Sequence, residues 1–175
     1  MAEKNYAREW YEYGRKHDDD PIVKFMLHWV AFNWLYSAYY YRRQDEPTKD
    51  FDRRNIENRY SEREKIKKFC KAKYDRLSQF DAFHQKEFSV FKEGKVVSET
   101  PPYNGYNGKD DPGKIFDILK DEEKDEEERI EKLFLTIYQV RCNLFHGSKS
   151  LMNPRDIDLV RASSVLLEGY LEKVI

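Results

Sequence analysis

Cysteine is scarce: only Cys70 and Cys142 occur in 175 residues. Two cysteines are too few for a disulfide framework, and neither lies in a Cys-x-x-Cys pair, so a reduced intracellular compartment is expected. Net charge is nearly absent, with 32 Lys and Arg against 33 Asp and Glu leaving −1. That balance excludes a global basic field for nucleic acid, but not a local patch. No apolar run approaches the roughly 18 residues of a membrane span. The longest, Phe25 to Tyr41, contains His28, Asn33 and Ser37 and reads as a buried helix. Met1-Ala-Glu-Lys-Asn-Tyr6 has no apolar signal core, so the expectation is a cytoplasmic protein with no membrane partner.

Metal-ligand patterns are also missing. His17, His28, His84 and His146 are scattered without ligand spacing on one helix, and Glu-x-x-His does not occur. Tyr103-Asn-Gly-Tyr-Asn-Gly-Lys109 is no phosphate loop, because Ser or Thr does not follow the lysine and no strand precedes it. Neither a metal nor a cofactor is expected.

What is abundant is aromatic bulk, 13 Tyr and 11 Phe, within a chain that is 37% charged. This suits one soluble domain with a single core. Residues 3–16 predict a short helix with Trp10, Tyr11 and Tyr13 as its apolar side. Asp20 and Pro21 predict a cap and first turn for a long helix over residues 22–44. Phe25, Trp29, Phe32, Leu35, Tyr36 and Tyr39 follow its helical spacing. Met26, Val30 and Trp34 make the opposite side apolar too, so this helix is expected to be central and covered on both sides. Asn33 sits within it, either as a core amide bonded to a neighbour or as support for a functional site.

Residues 51–83 return to helical period through Phe51, Ile56, Tyr60, Ile66, Phe69, Leu77, Phe80 and Phe83. Their many Lys and Arg residues read as a solvated face or as a surface for a phosphate backbone. The pattern lapses in an irregular insertion over residues 84–113, where Phe88 to Val97 suggests a hairpin around Glu93-Gly94 and Pro101 to Gly108 a turn-rich loop. Tyr103 and Tyr106 belong to that loop, as packing residues or as platforms for a base. Residues 113–119 predict a short helix. The acidic stretch Asp121 to Glu128 opens a long one, where negative charge complements the helix dipole. Asn153 and Pro154 cap a final helix. The fold class is therefore all-α, with four or more helices in one domain over residues 1–175.

Functional interest centres on residues 133–147. Ile130, Leu133, Phe134, Ile137, Tyr138, Leu144 and Phe145 recur near the helical period, and Arg141 falls on their stripe. An arginine there needs a paired charge or a cleft. Asn143 and His146 follow, with Gly147 as the helix stop. Arginine is a permanent cation whose planar fork suits phosphate, and histidine exchanges protons near neutral pH. Together they make a minimal set for cleaving RNA without metal: His146 as general base or acid, Arg141 on the phosphate, Asn143 orienting the histidine or binding an oxygen. The alternative is structural, with Arg141 on a carboxylate or terminal carbonyls and His146 at the negative helix end. Five residues of separation rotate two side chains about 140° apart on a regular helix. Convergence then needs a helix break at Gly147 or a second chain about a two-fold axis.

Val140-Arg-Cys-Asn-Leu-Phe-His-Gly147 resembles the Arg-x(4–6)-His motif of HEPN domains (higher eukaryotes and prokaryotes nucleotide-binding). His28-Trp-Val-Ala-Phe-Asn-Trp-Leu-Tyr36 resembles the aromatic helix that precedes it in several bacterial branches, including Apea-like members. The resemblance covers these two helices and the final one, Asp156 to Lys173, but not the insertion. It implies a HEPN-like up-and-down bundle that forms a homodimer. It also implies a metal-independent endoribonuclease of toxin–antitoxin or phage-defence type, with RNA as substrate and an antitoxin protein as a possible partner. By position, Arg141 and His146 match the motif's fixed residues, and Asn143 joins them as the third catalytic candidate. Ser148, Lys149 and Asn33 are the candidate substrate contacts. Many active members carry a polar residue directly after the arginine, where this chain has Cys142. Other members are non-catalytic modules that bind RNA, a nucleotide or a partner protein, and that reading stays open.

Overall fold

The computed structural model describes residues 6–42, 61–92, 117–145 and 153–175, and among these every regular element is helical. The all-α class read from the periodicity is the class that forms. Helices α1 (Tyr6–Gly14), α2 (Pro21–Arg42), α3 (Glu62–Ala72), α4 (Tyr74–Leu77), α5 (Ser89–Lys92), α6 (Glu126–Phe145) and α7 (Pro154–Val174) follow in order. Two 3₁₀ turns, Ala82–His84 and Lys86–Phe88, precede α5, and residues 117–120 are helical.

Local chemistry sets the helix starts. The Asp20 carboxylate accepts from the backbones of Ile22 and Val23 at 3.0 and 3.1 Å, with Pro21 in the first turn of α2. Ser61 and Glu64 form a capping box at α3, each side chain accepting from the other's backbone N–H. The Asn153 side chain accepts from Arg155 N at 3.1 Å and starts α7 beside Pro154.

Helix α2 is the hub, packing against α1, α3 and α7. Phe32 stacks on Phe134 of α6 and meets Phe69 of α3 edge-on. Tyr170 of α7 packs tilted against Phe134, with ring centres 4.8 Å apart. Each buried ring of this kind contributes roughly 1.5–3 kcal/mol relative to exposure. Near the start of α2, His28 is fully buried and stacked on Tyr11 of α1. It fits because Gly14 has no side chain: a Cβ there would lie 2.5 Å from the imidazole Cδ2. Beside it, Lys24 bridges Asp18 at 2.5 Å and Glu168 of α7 at 2.7 Å.

Several expectations are corrected in detail. On α1 only Tyr11 of the three aromatics turns inward, joined by Ala7 and Gly14, while Trp10 and Tyr13 are exposed. Positions 7, 11 and 14 share one face, and 10 and 13 lie off it. The second side of α2 is not fully covered: Val30 is exposed and Met26 and Trp34 are half-buried. The first arm of the suggested hairpin is helical over Ser89–Lys92. Phe88 and Phe91 both face the core, a three-residue spacing that a helical turn satisfies and strand alternation does not. Residues 93–97 of the hairpin lie outside the described residues, as do Phe51, Ile56, Tyr103 and Tyr106. The acidic stretch only partly enters its helix, since α6 begins at Glu126. Below that start, Arg129 is buried, donating to the Leu119 carbonyl at 3.3 Å with its guanidinium 4.0 Å from the Phe83 ring centre.

Among the described residues, no helix is long and apolar enough to cross a membrane. No group of three His, Cys, Asp or Glu side chains there is placed to hold a metal ion.

Candidate functional site

The apolar stripe of α6 runs as its spacing predicts: Ile130, Leu133, Phe134 and Ile137 are buried. Towards the C-terminal end, burial weakens. Tyr138, Arg141 and Leu144 are half-buried, and Phe145 is 58% exposed. Arg141 therefore occupies the margin of the core rather than its centre, with its side chain 24% exposed.

Three elements hold it. From α3, Glu62 places a carboxylate oxygen 3.9 Å from the guanidinium, an ion contact longer than a hydrogen bond. Trp29 of α2 lies with its ring centre 5.8 Å from the guanidinium carbon, and Phe145 of α6 at 4.6 Å. Both rings present the negative face that attracts a cation. Arg141 Nη1 also approaches Cys142 Sγ at 3.8 Å, while its buried Nε makes no hydrogen bond.

Glu62 is itself held. The buried Tyr36 hydroxyl of α2 donates a short hydrogen bond to the other carboxylate oxygen. Burial, reinforced by the Glu62 carboxylate, pushes the Tyr36 hydroxyl far above its usual range, so the phenol stays protonated and donating. Burial raises the Tyr138 hydroxyl as well, with Cys142 adding to it.

A second chain of contacts runs alongside. Arg63 of α3 lies 5.8 Å from the Tyr138 ring centre and donates to the side-chain Oε1 of Gln139 at 3.4 Å. Gln139 Nε2 in turn donates to the side-chain Oδ1 of Asn143 at 2.8 Å.

No protein-family model, curated protein or solved structure matches the chain.

The predicted site residues fare differently. Arg141 is joined by residues of three helices. Asn143, two positions on, points about 200° away around α6 and bonds to Gln139, so the two do not converge within one chain. Asn33 is half-buried and accepts from Ser37 one turn along its own helix at 3.2 Å, the neighbour-bonded reading of that amide. His146, Ser148 and Lys149 lie outside the described residues, as does Gly147.

Sequence reasoning missed Glu62 and Tyr36. Glu62 looked like one acid in a charge-dense stretch, and Tyr36 like one more core aromatic. Its one local signal is the Ser61-x-x-Glu64 box, which fixes where α3 starts and hence where Glu62 points. Chemically, the cluster offers a partly exposed, permanent cation whose planar face is set by two rings. Its neighbouring carboxylate balances charge without taking up a hydrogen-bond donor. A guanidinium so placed has the charge and planar geometry that can pair with an anion's oxygens.

Proposed function

We propose that the protein is a metal-independent endoribonuclease of HEPN type, working as a homodimer with Arg141, Asn143 and His146 as its site. The carrying observation is the state of Arg141: an arginine at the core margin, its side chain 24% exposed, whose neighbouring Glu62 carboxylate stays 3.9 Å away, beyond hydrogen-bond distance. An arginine placed only for stability would be expected to direct its fork at a carboxylate. In the proposed reaction, His146 takes the proton of a ribose 2′-hydroxyl, whose oxygen attacks the adjacent phosphorus. The bond to the 5′-oxygen breaks and that oxygen receives a proton, leaving a cyclic phosphate and a 5′-hydroxyl. Arg141 stabilises the charge that builds on the phosphate oxygens. The divergence of Arg141 and Asn143 around α6 supports a second chain as the supplier of the missing partner. Defence or toxin–antitoxin biology, with an antitoxin as partner, belongs to the same proposal.

The test is the purified protein with single-stranded and structured RNA in EDTA, beside Arg141→Ala and His146→Ala. Cleavage by the wild type, with at least a hundredfold loss in each variant, is the expected result, in keeping with the roughly 10²–10⁴-fold worth of a general acid or base. Equal activity or equal inertness in all three overturns it.

One observation favours the alternative of a non-catalytic HEPN module that binds RNA, a nucleotide or a partner protein. Asn143 Oδ1 is already engaged by Gln139. Binding without cleavage, retained in His146→Ala, would select that reading.

A further inference from the structure

We infer that Glu62 and Tyr36 act as a positioning pair that sets how strongly Arg141 can take an anion. This rests on the reading of Arg141 as the anion-binding cation. Glu62 stands near where an incoming phosphate would stand, so it competes with the ligand. A carboxylate beside an arginine ordinarily closes on it with two parallel hydrogen bonds. Here one carboxylate oxygen is taken by the Tyr36 hydroxyl, and the other stays 3.9 Å from Arg141 Nη1. The tyrosine therefore restrains the competitor. Tyr36 can do so because its ring is locked, 1% exposed and packed edge-on against Phe32. Glu62 is fixed at its other end by the capping box that begins α3. The guanidinium plane is fixed separately, by Phe145 and Trp29. Charge compensation and orientation are thus divided between different neighbours: Glu62 offsets the cation from beyond hydrogen-bond distance, and the rings orient it.

Removing each member should move affinity in opposite directions. Glu62→Gln deletes the competing charge and should tighten anion binding. Tyr36→Phe frees the carboxylate to close on Arg141 and should weaken it. In the double variant there is no carboxylate to restrain, so the tyrosine change should have no effect and affinity should return to the Glu62→Gln level. General damage to the fold would weaken binding in all three and would not be rescued.

The probe is a fluorescein-labelled ten-nucleotide single-stranded RNA, followed by anisotropy on the full chain in EDTA. Thermal unfolding of each variant is recorded in parallel. The expected result is a dissociation constant about two- to fivefold lower for Glu62→Gln, the range that follows from one partly exposed ion pair. Tyr36→Phe should raise it by a similar factor, and the double variant should match Glu62→Gln. Arg141→Ala separates the two levels of the inference. If it binds RNA like the wild type, the anion site itself is wrong and the positioning role falls with it. If Arg141→Ala loses binding but Glu62→Gln is unchanged or weaker, the anion site stands and the positioning pair is refuted.

Discussion

Lowering the pH below 6.5 should destabilise the protein through one side chain, His28. Its ring is fully buried against Tyr11 and Gly14, and neither nitrogen makes a hydrogen bond. Burial pushes its pKa below the usual histidine value of 6.5. Glu168 opposes that, Lys24 adds to it, and the backbones of Tyr11 and Ser164 favour the proton without reaching hydrogen-bond geometry. The folded ring therefore resists protonation while the unfolded ring accepts it, so the unfolded state binds more protons. Stability is fully present above pH 6.5 and is lost as pH falls from there towards the depressed folded value. The unfolded ring's own titration caps the loss at pH 5.5 at about 1.4 kcal/mol relative to pH 8. With a denaturant slope of about 2 kcal/mol per molar, the urea midpoint would fall by no more than about 0.7 M. The control is His28→Leu, which removes the titration and strands no hydrogen-bond partner. Urea unfolding of both proteins from pH 8 to pH 5.5 should give a growing deficit in the wild type relative to the variant. Every other titratable group is common to both proteins, so its contribution cancels in the difference. Parallel curves would refute the account.

Two further outcomes follow from the packing. Gly14→Ala should cost roughly 1–3 kcal/mol in urea unfolding, because its methyl group meets a buried imidazole that cannot swing aside. Combining it with His28→Ala, which opens that space, should give a penalty clearly smaller than the sum of the two. Asn153→Ala should cost about 1 kcal/mol through the lost α7 cap, and Asn153→Asp should largely restore it.

Much of the helical layout was legible because it is written in local chemistry. Asp20-Pro21 and Asn153-Pro154 mark helix starts that need no tertiary information, and both form as read. The stripe on α6 likewise requires only periodicity. Sidedness was harder. Whether Val30 is covered depends on its packing partners, which the α2 sequence cannot specify. The hairpin reading of Phe88 to Val97 took paired apolar residues for alternation, whereas burial of Phe88 and Phe91 on one face follows from the elements packed around them. The site divides along the same line. Arg141 stood out because it breaks a local pattern. Glu62 and Tyr36 break none: their significance comes from contacts 79 and 26 residues away in sequence, between side chains that are individually ordinary.

The ring beneath Arg141 gives the site an optical handle. The protein has three tryptophans, and they occupy different surroundings: Trp10 is 40% exposed on α1, Trp34 is half-buried, and Trp29 is 2% exposed against the guanidinium. Trp29 should emit at the blue edge of the intrinsic fluorescence, shielded from an aqueous quencher such as iodide that reaches Trp10. A ligand that shifts Arg141 alters the charge over that indole directly. The core of the protein thus carries its own reporter of events at its margin, and the proposed binding at Arg141 can be tested without any label.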